Sequence, residues 1–92
     1  MPNRPNALKL AESALVQKVS EEMVILDVNN GQYYTLNEVA ADMVELLRLG
    51  SSTDEIVNAI CSQYDAKESE VEADLHALLA TLLDKQLVYS VD

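Results

Sequence analysis

The run Gln32-Tyr33-Tyr34-Thr35-Leu36-Asn37-Glu38 restricts what this chain can become more than any other stretch in it. Aromatic and β-branched residues at alternating positions suit a pleated, half-buried strand. They give way without a linker to Asn37, a residue type that caps the unpaired amides of a helix start. Glu38 follows in the first turn, where an acid complements the helix dipole. A strand therefore enters a helix directly, and the two elements are held at a set angle to one another. Any fold for this sequence has to accommodate that junction.

Ninety-two residues allow one domain with one modest core, and a large enclosed active site does not fit that size. No apolar run approaches the ~20 residues that span a bilayer. The start Met1-Pro2-Asn3-Arg4-Pro5-Asn6 lacks the apolar centre of a signal peptide, so the expected setting is the cytoplasm and not a membrane. One cysteine, Cys61, and one histidine, His76, provide neither a disulfide nor a Cys/His metal cluster, and no cofactor or metal is expected. Six basic against sixteen acidic residues give a net charge of -10, which repels nucleic-acid phosphates and anionic lipid; the expected partner is neutral or basic.

Residues 1–12 hold both prolines and one short apolar alternation, Leu8-Lys9-Leu10, and read as a flexible N-terminus or a brief strand. Ala14 to Val19 reads as a strand, Ser20-Glu21-Glu22 as a turn, and Met23 to Val28 as a second strand leading to the third, Gln32 to Leu36. Two hairpin registers compete at Asn30-Gly31. A two-residue loop pairs Val28 with Tyr33 and brings Asp27 beside Tyr34 and Leu36, turning a charge toward the core. A three-residue loop, Asn29-Asn30-Gly31, places Val24, Leu26, Val28, Tyr34 and Leu36 on one face and Ile25, Asp27, Tyr33 and Thr35 on the other. The cleaner separation favours the second, with Tyr34 and Leu36 inward and Tyr33 and Thr35 outward.

From Asn37 the apolar period becomes helical: Val39, Met43, Leu46 and Leu47 recur until Gly50. Ser52 and Glu55 have capping-box spacing and open a second helix with Ile56, Val57, Ile60, Cys61 and Tyr64 as its stripe. Ser69 and Glu72 repeat that spacing before a third and longest helix, running to about Gln86. On it Val71, Leu75, Leu78, Leu79, Leu82 and Leu83 share a broad stripe, with Asp74, Thr81 and Lys85 along one flank and His76 on the other. Cys61 reads as filler and His76 as a solvated flank residue. Neither has a neighbour in the sequence that would activate it, so no catalytic residue is assigned.

Three strands followed by three helices make an α+β domain: an N-terminal three-stranded antiparallel sheet, then helices in an order compatible with a winged helix-turn-helix. A DNA-binding version would need Lys and Arg on its last helix, where Lys85 faces Glu70, Glu72, Asp74 and Asp84. An acyl or peptidyl carrier would match the size and acidity, but the hairpin before residue 37 does not suit an all-helical carrier. An edge strand exposes unpaired amides and carbonyls, so the Gln32–Leu36 strand is where a partner is expected to bind.

Several stretches carry a resemblance. They are Met23-Val24-Ile25-Leu26-Asp27 with Asn30-Gly31-Gln32-Tyr33-Tyr34-Thr35-Leu36-Asn37-Glu38, the Thr53 to Tyr64 helix, and Glu70-Val71-Glu72-Ala73-Asp74-Leu75. On these the chain, from about Ala14 to Val88, resembles the PqqD-like proteins, also called RiPP recognition elements, which bind leader peptides of ribosomally made, modified peptides. The Gly-x-Tyr-Tyr-x-Leu-Asn run is the specific part. Gln86 departs from the pattern, since a glycine commonly precedes the leucine found here as Leu87.

The resemblance implies a non-enzymatic leader-binding domain over residues 13–92. Its stand-alone length looks most like the versions that work beside a leader peptidase and a cyclase in lasso-peptide biosynthesis. It further implies that the leader adds as a strand to the edge of Gln32–Leu36, in a groove against the last helix. The implied peptide-binding residues are Tyr33, Tyr34, Thr35 and Leu36 with Val71, Asp74, Leu75, Leu78 and Leu82. Which tyrosine lines the pocket stays open, as does pairing of two copies through the same edge. The alternatives are a PqqD-like chaperone for a different peptide-modifying enzyme and a carrier-like protein.

Overall fold

The computed structural model describes residues 8–90, with side chains to residue 89. Residues 1–7, expected to be flexible, and residues 91–92 lie outside the described residues. The elements in order are β1 (Leu8–Leu10), β2 (Ala14–Val19), β3 (Glu22–Asp27), β4 (Gln32–Leu36), α1 (Glu38–Arg48), α2 (Thr53–Tyr64), α3 (Glu68–Asp84) and β5 (Val88–Ser90). Antiparallel pairing gives a three-stranded sheet in the order β2-β3-β4 and a separate two-stranded clasp, β1 with β5. Three helices and antiparallel strands make the α+β class expected.

The junction at Asn37 forms as its residue types require. The Asn37 side chain accepts the Ala40 N–H at 2.9 Å, and α1 starts with Glu38 directly after the strand. Ser52 and Glu55 close a reciprocal capping box at the start of α2, Glu55 N–H donating to Ser52 Oγ at 3.2 Å and Ser52 N–H to Glu55 Oε1 at 2.8 Å. The third expected cap is corrected. Lys67 is the residue at the N-cap of α3 and makes no side-chain cap bond, so Ser69 sits inside the first turn. Asp65 ends α2 in the left-handed region and leaves only Ala66 between it and Lys67. The acids Glu68 and Glu70 then complement the dipole in place of a capping hydroxyl.

The hairpin register is also corrected. Asp27 pairs with Gln32, Ile25 with Tyr34 and Met23 with Leu36, so the loop runs from Val28 to Gly31 and Asp27 shares its face with Tyr34 and Leu36. Met23 and Ile25 are fully buried, and it is Val24 and Leu26 that lie on the outer face beside Tyr33 and Thr35. The charge on the inner face is tolerated because it sits at the strand end, where it builds the turn. The Asp27 carboxylate accepts the Asn29 N–H at 3.0 Å and its carbonyl accepts the Gly31 N–H at 2.8 Å. Gly31 takes a positive φ of 74° there. Tyr34 and Leu36 do point inward and Tyr33 and Thr35 outward, as expected.

The core gathers Met23 and Ile25 from β3, Ala41, Met43, Val44 and Leu47 from α1, and Ile56, Val57 and Ile60 from α2. Val71, Leu75, Leu79 and Leu82 from α3, with Leu87 and Val88 after it, complete the cluster. Cys61 packs half-buried against it. On the β2 side, Asp42 of α1 collects Lys18 Nζ at 3.7 Å, Gln63 Nε2 at 3.0 Å and the Tyr64 hydroxyl, tying β2, α1 and α2 together. Donating to that carboxylate, with partial burial and nearby acids adding to the effect, pushes the Tyr64 hydroxyl well above the ordinary tyrosine range.

Gln86, where the resemblance leads to an expectation of glycine, adopts φ 60°. Its backbone closes α3: Gln86 N–H donates to the Leu83 carbonyl at 3.0 Å and Leu87 N–H to that of Leu82 at 2.8 Å. A side chain in the left-handed region costs roughly 1 kcal/mol that glycine does not incur. Gln86→Gly is therefore expected to raise unfolding stability by about 0.5–1 kcal/mol, read as a higher urea midpoint at unchanged slope.

Candidate functional site

Among the described residues β4 pairs only with β3, so its other edge presents backbone amides and carbonyls to whatever can pair with them. β2 leaves a second open edge on the far side of the sheet. The β4 edge fronts a groove with an identifiable opposite wall. At one end, Asn37, Val39, Ala40 and Met43 line a cleft of about 220 Å³ together with Asp74 and Leu78 of α3. At the other end, Lys85 Nζ stands 4.9 Å over the ring of Tyr34, whose hydroxyl donates to Gln32 Oε1 at 3.2 Å. Thus α3 lies alongside β4 and runs opposite to it, with residue 85 near residue 34 and residue 78 near residue 37.

The helix wall follows from periodicity. Asp74, Leu78, Thr81 and Lys85 are spaced four, three and four residues apart, which aligns them along one side of a helix. Tyr34, Leu36, Val39 and Leu78 pack against the core yet are only partly buried, as are several other residues at its margin. Apolar area left in that state is what an added segment would finish burying, at about 25 cal/mol per Å².

The expected site residues divide in three. Asp74 and Leu78 line the cleft, Tyr34 meets α3 through Lys85 at the other end, and Leu36 shares the inner face of β4 with Tyr34. Tyr33, 69% exposed, and Thr35 lie on the outer face of the sheet, so their backbones belong to the edge while their side chains point away from the groove. Val71, Leu75 and Leu82 are 3%, 1% and 2% exposed and are core residues; they hold α3 in place and present no surface to a ligand. The reason is that the apolar stripe of α3 is wider than the seam it packs into, so its middle is buried and one margin is left at the groove. Val39, Ala40 and Met43, which line the cleft, and Lys85, which stands over Tyr34, are not among the residues expected from the sequence. Lys85 shares a flank of α3 with Asp74, and that alignment is the sequence signal for it.

Among the described residues no three His, Cys, Asp or Glu side chains converge at metal-ligating range, and no helix is long and apolar enough to cross a membrane. His76 is exposed on α3.

The sequence model for coenzyme PQQ synthesis protein D (PqqD) matches residues 22–88. Two solved structures are similar along nearly their whole length. TbiB1 in complex with the TbiA(beta) leader peptide is 31% identical with a TM-score of 0.84, covering 91% of this chain and 98% of that one. Lasso peptide synthetase B1 complexed with the leader peptide is 28% identical with a TM-score of 0.83, covering 90% and 98%. No curated protein sequence gives a significant match.

Proposed function

The chain belongs to the PqqD family, and from that premise we propose that it is a non-enzymatic recognition element for the leader of a ribosomally made precursor peptide, acting in lasso-peptide biosynthesis. The observation that carries this reading is the open edge of β4 beside a groove of half-buried apolar side chains. Main-chain bonds to the edge provide grip, and alternate side chains entering the groove provide selectivity. Two structural neighbours that are themselves leader-peptide complexes support it. The leader strand lies between β4 and α3, touching Tyr34, Leu36 and Leu78, with the backbones of Tyr33 and Thr35 completing the edge.

The domain does no chemistry in this reading. It holds the precursor so that a leader peptidase and a cyclase meet it as a tethered substrate at raised effective concentration. The setting this implies is the cytoplasm, where the precursor is made.

The test is fluorescence anisotropy of a labelled leader peptide from the associated precursor, titrated with the purified chain. Saturable binding that unlabelled leader competes away, and core segment does not, is the expected result. N-methylation of alternate leader residues on the edge-facing side is expected to abolish it, since each removes a strand hydrogen bond. Binding that survives every such methylation would rule out strand addition. The match to the PqqD description favours one second reading, service to a different peptide-modifying enzyme. Leaders from other precursor classes, bound more tightly than a lasso leader in the same assay, would select it.

A further inference from the structure

The groove has a charge at each end. Asp74 lies at the end lined by Asn37 and Leu78, and Lys85 at the end over Tyr34. Neither makes an ion pair among the described residues, whereas Lys18 is engaged by Asp42 and Arg48 by Glu45. In a chain of net charge -10 a cation is scarce, and this one is held against the one tyrosine ring that turns from β4 into the groove. Between the two charges the wall is uncharged, Leu78 and Thr81.

Backbone pairing to an open edge leaves two directions for an incoming strand, since parallel and antiparallel ladders both satisfy it. Charges at the two ends of the groove distinguish those directions. Resting on the leader-binding reading above, we propose that Asp74 and Lys85 orient the leader: the groove takes a segment whose carboxylate meets Lys85 and whose cation meets Asp74, and it disfavours the same segment reversed. Eleven helical residues separate the two by about 16 Å, which an extended strand covers in about five residues. Side chains on the groove side recur every second residue, so the acid and the base stand roughly four or six residues apart in the leader. The apolar anchors provide most of the grip; the charges select direction and register.

Three reversal variants, one neutral variant and two labelled peptides test this by anisotropy. The peptides are the leader of the associated precursor and the same leader with its acid and base exchanged. The reversal variants are Lys85→Glu, Asp74→Lys and the double reversal. Each single reversal is expected to weaken binding of the native leader about fivefold, as an attractive exposed pair becomes a repulsive one. The double reversal is expected to prefer the exchanged leader over the native one, and that preference is expected to vanish near 1 M salt, where screening acts within ~3 Å. Lys85→Gln, which removes the charge without reversing it at the helix end, is expected to fall between wild type and Lys85→Glu. Native leader binding all reversals within twofold, or a leader with no acid and base at that spacing, would overturn the proposal and leave leader binding standing. A folded wild-type chain that binds neither peptide would overturn the leader-binding reading itself.

Discussion

Leu78→Asp is expected to weaken leader binding by about two orders of magnitude while the domain stays folded. Leu78 lies in the middle of the α3 wall, half-buried, and shares the cleft with Val39, Ala40 and Met43. An apolar anchor there contributes about 1.5–3 kcal/mol on full burial. Its replacement also obliges an incoming apolar side chain to desolvate a carboxylate that has no cation beside it, because the near neighbour, Asp74, is itself acidic. The residue is only partly buried at the margin of the core, so the carboxylate can turn outward in the free protein and the cost to folding stays about 1 kcal/mol. Anisotropy with the labelled leader reads the loss, and a thermal melt confirms the fold. Lys67→Ala, at the N-cap of α3 and far from the groove, is the matched control with unchanged affinity. Equal binding by Leu78→Asp and Lys67→Ala would remove this groove as the binding site.

The opposite pattern is expected one turn earlier. Leu75→Ala should cost about 3 kcal/mol of stability with leader affinity of the folded protein changed less than threefold. Leu75 is 1% exposed and belongs to the cluster that joins α3 to α1 and α2. Truncating it leaves a cavity in close-packed surroundings, which for Leu→Ala costs about 2–5 kcal/mol. A domain this size has only about 5–10 kcal/mol in total, so the shift in urea midpoint is large. Because the side chain does not reach the groove, affinity measured where the variant is still folded should hold. A large loss of affinity in fully folded Leu75→Ala would mean that the buried seam, and not its exposed margin, contacts the leader.

The two variants mark where pattern reading succeeds and where it stops. Strand-to-helix entry at Asn37 and the capping box at Ser52 are local chemistry, in which one side chain satisfies amides two or three residues away, and so can be read from order alone. The inward direction of Tyr34 and Leu36 is equally legible from alternation. Which face of β3 meets them depended on turn geometry, and the Asp27 carboxylate decided it by binding the Asn29 amide. A rule that keeps charges out of the core has no place for a charge that builds a turn at the strand end. Likewise, six apolar residues on α3 define a stripe but not its seam. Only the positions of α1 and α2 determine that Val71, Leu75 and Leu82 go under while Leu78 remains at the margin. The cation over Tyr34 depended on how α3 ends, and Gln86 in a left-handed conformation sets that ending.

The clasp between β1 and β5 has a kinetic consequence. It joins Leu8 to Ser90 across almost the entire chain, so its closure must await the assembly of everything between, and it has the largest loop entropy to overcome. Three residue pairs and the Ala11 N–H bond to the Leu87 carbonyl hold it, with Leu8, Leu10 and Val88 packed on the core, and its release is expected to cost less than global unfolding. Leu87, buried beside β5, anchors the turn that ends α3, and Val88 of β5 itself packs into the core. Amide exchange in β1 and β5 should therefore run ahead of global unfolding. Lys85 lies two residues before Leu87, so exchange at that end of the groove is expected to follow the clasp and not the β4 edge.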